Sequence, residues 1–175
     1  VGDLRLNEVV VRELRARKKT IAVAESLTGG LVADGVVEIP GASDVFIAGI
    51  AAYADAAKRT LLDVSERVLE EDGAVSEACA RAMAEGARRR TGADLALSTT
   101  GIAGPSGGSE EKPVGTVWFA IADAAGTIAS KRVFPGGRTE IRGYARERAF
   151  DLLRRRLLGY EPESSLDAGV PSKSS

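Results

Sequence analysis

The spacing of hydrophobic residues changes several times along the chain, and each change marks an element. From Asp3 to about Lys19, the residues Leu4, Leu6, Val9, Val10 and Leu14 recur at helical spacing, with Asp3 placed to cap them. Thr20 to Glu25 (TIAVAE) is short, apolar and uninterrupted, which predicts a strand covered on both faces. Helical spacing returns from Ser26 to Glu38 through Leu27, Leu31, Val32 and Val36, and ends at Pro40 and Gly41. Val45 to Tyr53 (VFIAGIAAY) reads as a second buried strand. Asp55 to Leu62 and Ser65 to Asp72 read as short helices, the latter closed by Gly73. Ser76 to Thr91 is a longer helix with a serine cap and Gly92 behind it. Ala93 to Thr99 is a third strand, and the glycine-rich stretch from Gly101 to Val114 has no period. Gly115 to Ala122 and Thr127 to Phe134 flank a short turn with Gly126, a hairpin signal. Thr139 to Leu158 is a long basic helix.

Strands alternating with helices, followed by a hairpin, predict an α/β fold. The expected form is a three-layer α/β/α sandwich with a mixed, mostly parallel five-stranded sheet ending in the antiparallel hairpin. Residues 1–159 form one domain, and 160–175, rich in Ser, Pro and Gly, are expected to be a loose tail. Ligands of such folds gather beyond the carboxyl ends of the parallel strands. The two least regular segments, after Glu25 and after Thr99, fall at such ends.

Composition narrows the chemistry. At 175 residues and 44% hydrophobic, the chain suits a single core. There is no histidine, which removes Ser-His-Asp and Cys-His catalysis and every His-ligated zinc site. A general base must therefore come from Lys, Asp, Glu or Tyr. The lone Cys79 excludes an internal disulfide and a cysteine metal cluster. A net charge of -1 and the lack of a recognition motif argue against a nucleic-acid partner. No stretch approaches the ~20 apolar residues of a membrane span, so no membrane partner and a cytoplasmic location are expected. A homodimer is the expected assembly, since closed two-fold pairs are commonest.

Four segments could carry chemistry. Ser26, in AESLTGG, sits where a buried strand turns into a helix, beside unpaired backbone N–H groups that would stabilise an oxyanion. By itself the serine also reads as a plain helix cap. Lys58 follows the second strand. Burial there would disfavour its ammonium, and an uncharged amine can take a proton, with Tyr53 orienting it. A solvated helix lysine is the plainer alternative. The loop Thr99 to Gly108 would point several N–H groups at one anion, although it is neither a P-loop nor a dinucleotide fingerprint. Arg138, Arg142 and Arg146 recur one turn apart on the last helix, and arginine forks suit phosphate.

Together and in this order, these segments resemble the CinA (competence/damage-inducible) C-terminal domain family, whose stand-alone form is nicotinamide-nucleotide amidase. The shared landmarks are AESLTGG at 24–30, YADAAK at 53–58, GAVSEA at 73–78, TGIAGPSGG at 100–108, KPVGTVW at 112–118 and GGRTEIR at 136–142. Asp55 departs from the family, which usually has Asn, and changes the charge beside Lys58. The resemblance implies hydrolysis of the carboxamide of nicotinamide mononucleotide to nicotinic acid mononucleotide and ammonia, without a metal or organic cofactor. On this reading Ser26 is the nucleophile, Lys58 the base and Tyr53 its orienting partner. N–H groups from Leu27 to Gly30 hold the oxyanion. Thr28, Gly29, Gly30, Asp55 and Thr100 contact substrate. Gly101, Gly104, Ser106, Gly107, Gly108 and Arg142 receive it and its phosphate. The alternatives are a non-catalytic nucleotide-binding module and a Ser-Lys amidase acting on another amide.

Overall fold

A computed structural model describes residues 5–160. The elements in chain order are α1 (Leu6–Ala16), β1 (Ile21–Glu25), α2 (Leu31–Val37), a 3-10 turn (Ala42–Asp44), β2 (Phe46–Ala51), α3 (Asp55–Leu62) and α4 (Glu66–Glu71). They continue with α5 (Glu77–Thr91), β3 (Leu95–Gly101), β4 (Thr116–Asp123), β5 (Gly126–Val133) and α6 (Arg138–Leu158). The sheet order is β2-β1-β3-β4-β5. β2, β1 and β3 are parallel, and both β3–β4 and β4–β5 are antiparallel, so β4 alone runs against the others. The α/β/α class and the terminal hairpin match the sequence-based expectation.

The two faces of the sheet are packed differently. Ile21, Val23, Leu97, Val117, Phe119 and Ile121 form a thick core with α1, α2 and α6. The opposite face offers Ala22, Ala24, Ala96, Ala120 and Ala122 to α5, with Leu62 of α3 joining. Small side chains there let α5 lie close to the strands. It also lies close to α3: a Cβ on Gly86 would stand 1.8 Å from the Leu62 carbonyl oxygen.

Three local expectations need correction. Helix α2 starts at Leu31, five residues after Ser26, because Gly29 and Gly30 take left-handed φ of 56° and 107° and form a turn. Ser26 therefore directly follows β1, and the cap position of α2 falls to Gly30. β2 is not covered on both faces. It is the sheet edge, its residues alternate in exposure, and Ile47 is 50% exposed. Its run of apolar residues reads as buried because Ala48, Gly49, Ala51 and Ala52 expose little apolar area even at an edge. Helix α1 begins at Leu6, where Glu8 accepts the Arg5 backbone N–H at 3.0 Å. The expected cap Asp3 and the tail from residue 161 lie outside the described residues.

Candidate active site

The site is built where β1, β2 and β3 end. The ladder runs one step past β1: Ala52 N–H donates to the Glu25 carbonyl and Ser26 N–H to the Thr99 carbonyl, both at 2.9 Å. Ser26 is thereby fixed between the ends of β2 and β3, and it is 8% exposed. By the two-residue pleat it falls on the face of Ala22 and Ala24, which α3 and α5 cover.

The turn from Ser26 to Gly30 is held from two sides. Glu25, 1% exposed, accepts N–H bonds from Gly30 (3.0 Å), Val32 (3.1 Å) and Ala33 (2.8 Å). Arg142 donates from Nε to the Leu27 carbonyl at 2.9 Å and from Nη2 to the Thr28 carbonyl at 3.0 Å. Thr28 and Thr99 share a hydroxyl bond of 2.7 Å. The turn itself closes through Gly29 N–H to the Ser26 carbonyl. Of the backbone amides from Leu27 to Gly30, those of Leu27 and Thr28 have no hydrogen-bond acceptor among the described residues. The Gly30 amide, expected to face an oxyanion, is taken by Glu25.

Lys58 stands on α3, directly after β2, and is 1% exposed. Its Nζ donates to the Tyr53 carbonyl at 2.8 Å, and Asp55 Oδ1 lies 3.7 Å away. Tyr53 thus orients the amine through its backbone, and its phenol does something else. The ring is 62% exposed, and its hydroxyl accepts from Arg138 Nη2 at 3.1 Å. That hydrogen bond lowers the phenol pKa below its ordinary value of 10.0, with Arg138, Arg142 and Lys58 adding attraction for the phenolate. Of these cations, Arg138 is the one bonded to the phenol. Cys79 of α5 is fully buried. Burial pushes its thiol up to about 11.

The glycine-rich loop returns to the sheet through Ile102 N–H to Thr116 and Gly115 N–H to Ile102, at 2.9 and 2.8 Å. Gly104 and Gly108 pack onto Val114, where a Cβ would come within 2.6 and 2.7 Å of its atoms. Arg138 Nη1 ties the Gly104 carbonyl at 3.0 Å, so one guanidinium links loop and Tyr53. Thr100 donates to the Ala74 carbonyl at 2.6 Å, and Gly101 lies within the β3–β4 ladder. Ser106, Gly107 and Gly108 are exposed at the loop's outer edge.

The structure thus brings Ser26, Thr28, Gly29, Gly30, Tyr53, Asp55, Lys58, Thr100, Gly104 and Arg142 to one end of the sheet. It leaves Ser106 to Gly108 on the rim and Gly101 in the sheet. Sequence reasoning missed Glu25, although a carboxylate closing an otherwise apolar strand was a visible signal. Among the described residues no three His, Cys, Asp or Glu side chains gather to hold a metal. A cavity of about 700 Å³ lies at the other end of the sheet, lined by Arg12, Arg15, Thr20 and Val45 among others, and contains none of these residues.

Comparison with known proteins places this arrangement in context. The family model of the CinA C-terminal domain matches residues 3–157. A CinA-like protein of Thermotoga maritima is 49% identical over 161 residues, which is 92% of this chain and 39% of that protein. A CinA-like protein of Geobacter sulfurreducens is 50% identical over 157 residues, 90% of this chain and 38% of that protein. The chain thus spans about two fifths of the length of these curated relatives. A CinA superfamily protein of Klebsiella pneumoniae superposes with a TM-score of 0.85 at 34% identity, covering 89% of this chain and 97% of that one. The competence/damage inducible protein CihA of Agrobacterium tumefaciens gives 0.83 at 38% identity, covering 90% and 99%.

Proposed function

The chain belongs to the CinA C-terminal domain family, and on that premise we propose that it is a nicotinamide-nucleotide amidohydrolase. It would convert nicotinamide mononucleotide and water to nicotinic acid mononucleotide and ammonia by a Ser-Lys mechanism. The observation that carries this reading is the nearly solvent-free lysine. A buried amine held by one carbonyl and one largely exposed carboxylate is costly to maintain unless it has work there. Lys58 lies in the helix that follows β2, Ser26 directly follows β1, and these two strands are parallel neighbours.

In this mechanism Lys58 enters the reaction as the uncharged amine, and Ser26 Oγ attacks the carboxamide carbon as Lys58 Nζ takes the hydroxyl proton. The Leu27 and Thr28 N–H groups receive the oxyanion, since they have no acceptor among the described residues. Lys58 returns the proton to the leaving nitrogen, and the C–N bond breaks to release ammonia. Water, deprotonated by the same amine, then cleaves the acyl-serine. Lys58 serves as both base and acid, the part that histidine takes in other serine hydrolases. The substrate phosphate is assigned to Arg138 and the rim of Ser106 to Gly108. Arg138 is exposed, and its partners here, Tyr53 and Gly104, are neutral.

An ammonia-release assay on nicotinamide mononucleotide, with chelator present, tests this directly. Ser26→Ala and Lys58→Met are each expected to lower kcat by about 10³-fold or more while the protein stays folded. Turnover at the wild-type rate in Ser26→Ala would refute the nucleophile, and in Lys58→Met the base. One observation favours a second reading, a nucleotide-binding module without catalysis. Asp55 Oδ1 at 3.7 Å from Lys58 Nζ is the ion pair that a ligand-holding cation would keep. Saturable binding of the mononucleotide with no ammonia release would select it.

A further inference from the structure

Resting on the amidase reading, we infer that Glu25 is a positioning residue: its buried carboxylate grips the far side of the Ser26 turn and so sets the nucleophile and the Leu27 and Thr28 amides beside it. The turn has little to hold it from within. Its own backbone bonds, Gly29 N–H to the Ser26 carbonyl and Leu31 N–H to the Thr28 carbonyl, are 3.1 and 3.2 Å long. Two of its residues are left-handed glycines, which have the widest choice of other conformations. Against this, one carboxylate shielded from water accepts the Gly30 N–H of the turn and the Val32 and Ala33 N–H groups of α2, at 2.8 to 3.1 Å, and so ties the turn to the helix behind it.

Glu25 is also the residue bonded to Ser26, and the pleat puts their side chains on opposite faces. The carboxylate therefore acts from behind, through the backbone, and touches neither substrate nor the reacting atoms. By occupying the amides of Gly30, Val32 and Ala33 it removes them as rival anion donors, so that charge developing beside Ser26 meets the Leu27 and Thr28 amides alone. Arg142 completes the grip from the other side. In a trans peptide the N–H points opposite the C=O. Fixing the Leu27 carbonyl on Arg142 Nε therefore turns the Thr28 N–H away from that guanidinium.

Glu25→Gln tests the inference. Glutamine keeps the volume but replaces one acceptor oxygen with an NH₂, which must face at least one of the three N–H donors. The expected result is a kcat lower by about 10- to 100-fold with KM changed less than about threefold. Hydrogen exchange should also quicken at the Gly29 and Leu31 amides, which are bonded inside the turn and not to Glu25. Glu25→Asp, which keeps the charge but draws it back by one CH₂, should show the same kcat loss and serves if the glutamine variant does not fold. A purely structural role would lower the melting temperature and leave kcat per folded enzyme at the wild-type value. That result, a kcat loss matched by an equal rise in KM, or unchanged exchange at Gly29 and Leu31 would each overturn the inference. A wild-type enzyme that releases no ammonia defeats the amidase reading alone, and exchange at those two amides still decides the grip.

Discussion

Arg138 and Arg142 lie one helical turn apart, carry the same charge and do different things. Arg142 spends two donors on the carbonyls of Leu27 and Thr28, while Arg138 bridges Tyr53 and Gly104 at the exposed edge. Spacing on α6 shows that both face the same way, but not which carbonyls lie beneath them. On the proposed function, Arg138→Ala should raise KM for nicotinamide mononucleotide by about tenfold or more, as expected when a charged contact to phosphate is lost. It should leave the much weaker turnover of free nicotinamide unchanged. Steady-state kinetics on the two substrates decide this, and an equal change for both would remove phosphate from Arg138. Tyr53 teaches a similar lesson. Its position at a strand end was legible, yet it is the backbone carbonyl that meets Lys58 and the phenol that meets Arg138.

Among the elements, the close packing of α3 on α5 fixes the helix that carries Lys58. Gly86 of α5 admits the Leu62 carbonyl at the end of α3, a contact that any side chain would block. Gly86→Ala should cost about 1–3 kcal/mol, the usual range for overpacking, and lower the melting temperature by several degrees. It should also reduce activity, because α3 carries Lys58. A melting temperature equal to wild type would contradict the close approach. Helix α5 itself was legible from its ends: Ser76 accepts the Cys79 N–H and Gly92 closes it in a left-handed conformation, as their residue types suggest. The start of α2 was not. Leu27 continues the helical spacing of Leu31 and Val32, and the apolar pattern cannot register that two left-handed glycines interrupt the backbone between them.

On the scale of the whole molecule, one ion pair ties the hairpin to the end of the last helix. Asp123 at the end of β4 accepts from Arg156 Nε and Nη2, both at 2.7 Å, and this hydrogen bond holds its carboxyl below the usual carboxylate range. A carboxyl with a lowered folded-state pKa adds stability that is present above the unfolded value of ~3.9 and is lost as pH falls through the lower folded value. Asp94, held by the Thr20 backbone N–H at the start of β1, acts in the same direction. Melting curves should therefore show wild-type stability falling below about pH 4, with a shallower fall in Asp123→Asn, which should cost about 1–3 kcal/mol at neutral pH. A parallel acid profile in the variant would exclude this pair as a source of the pH dependence. The sequence by itself determined the element order, the α/β class, the hairpin and the motifs of a CinA domain, because periodicity, caps and motif spacing are written in near neighbours along the chain. Only the tertiary structure decided that β2 is an edge, that Glu25 faces the amides of α2, and which carbonyls the two arginines reach. Those outcomes depend on strand order and on contacts between residues as much as 115 positions apart, as for Arg142 and Leu27, and no local pattern encodes such a distance.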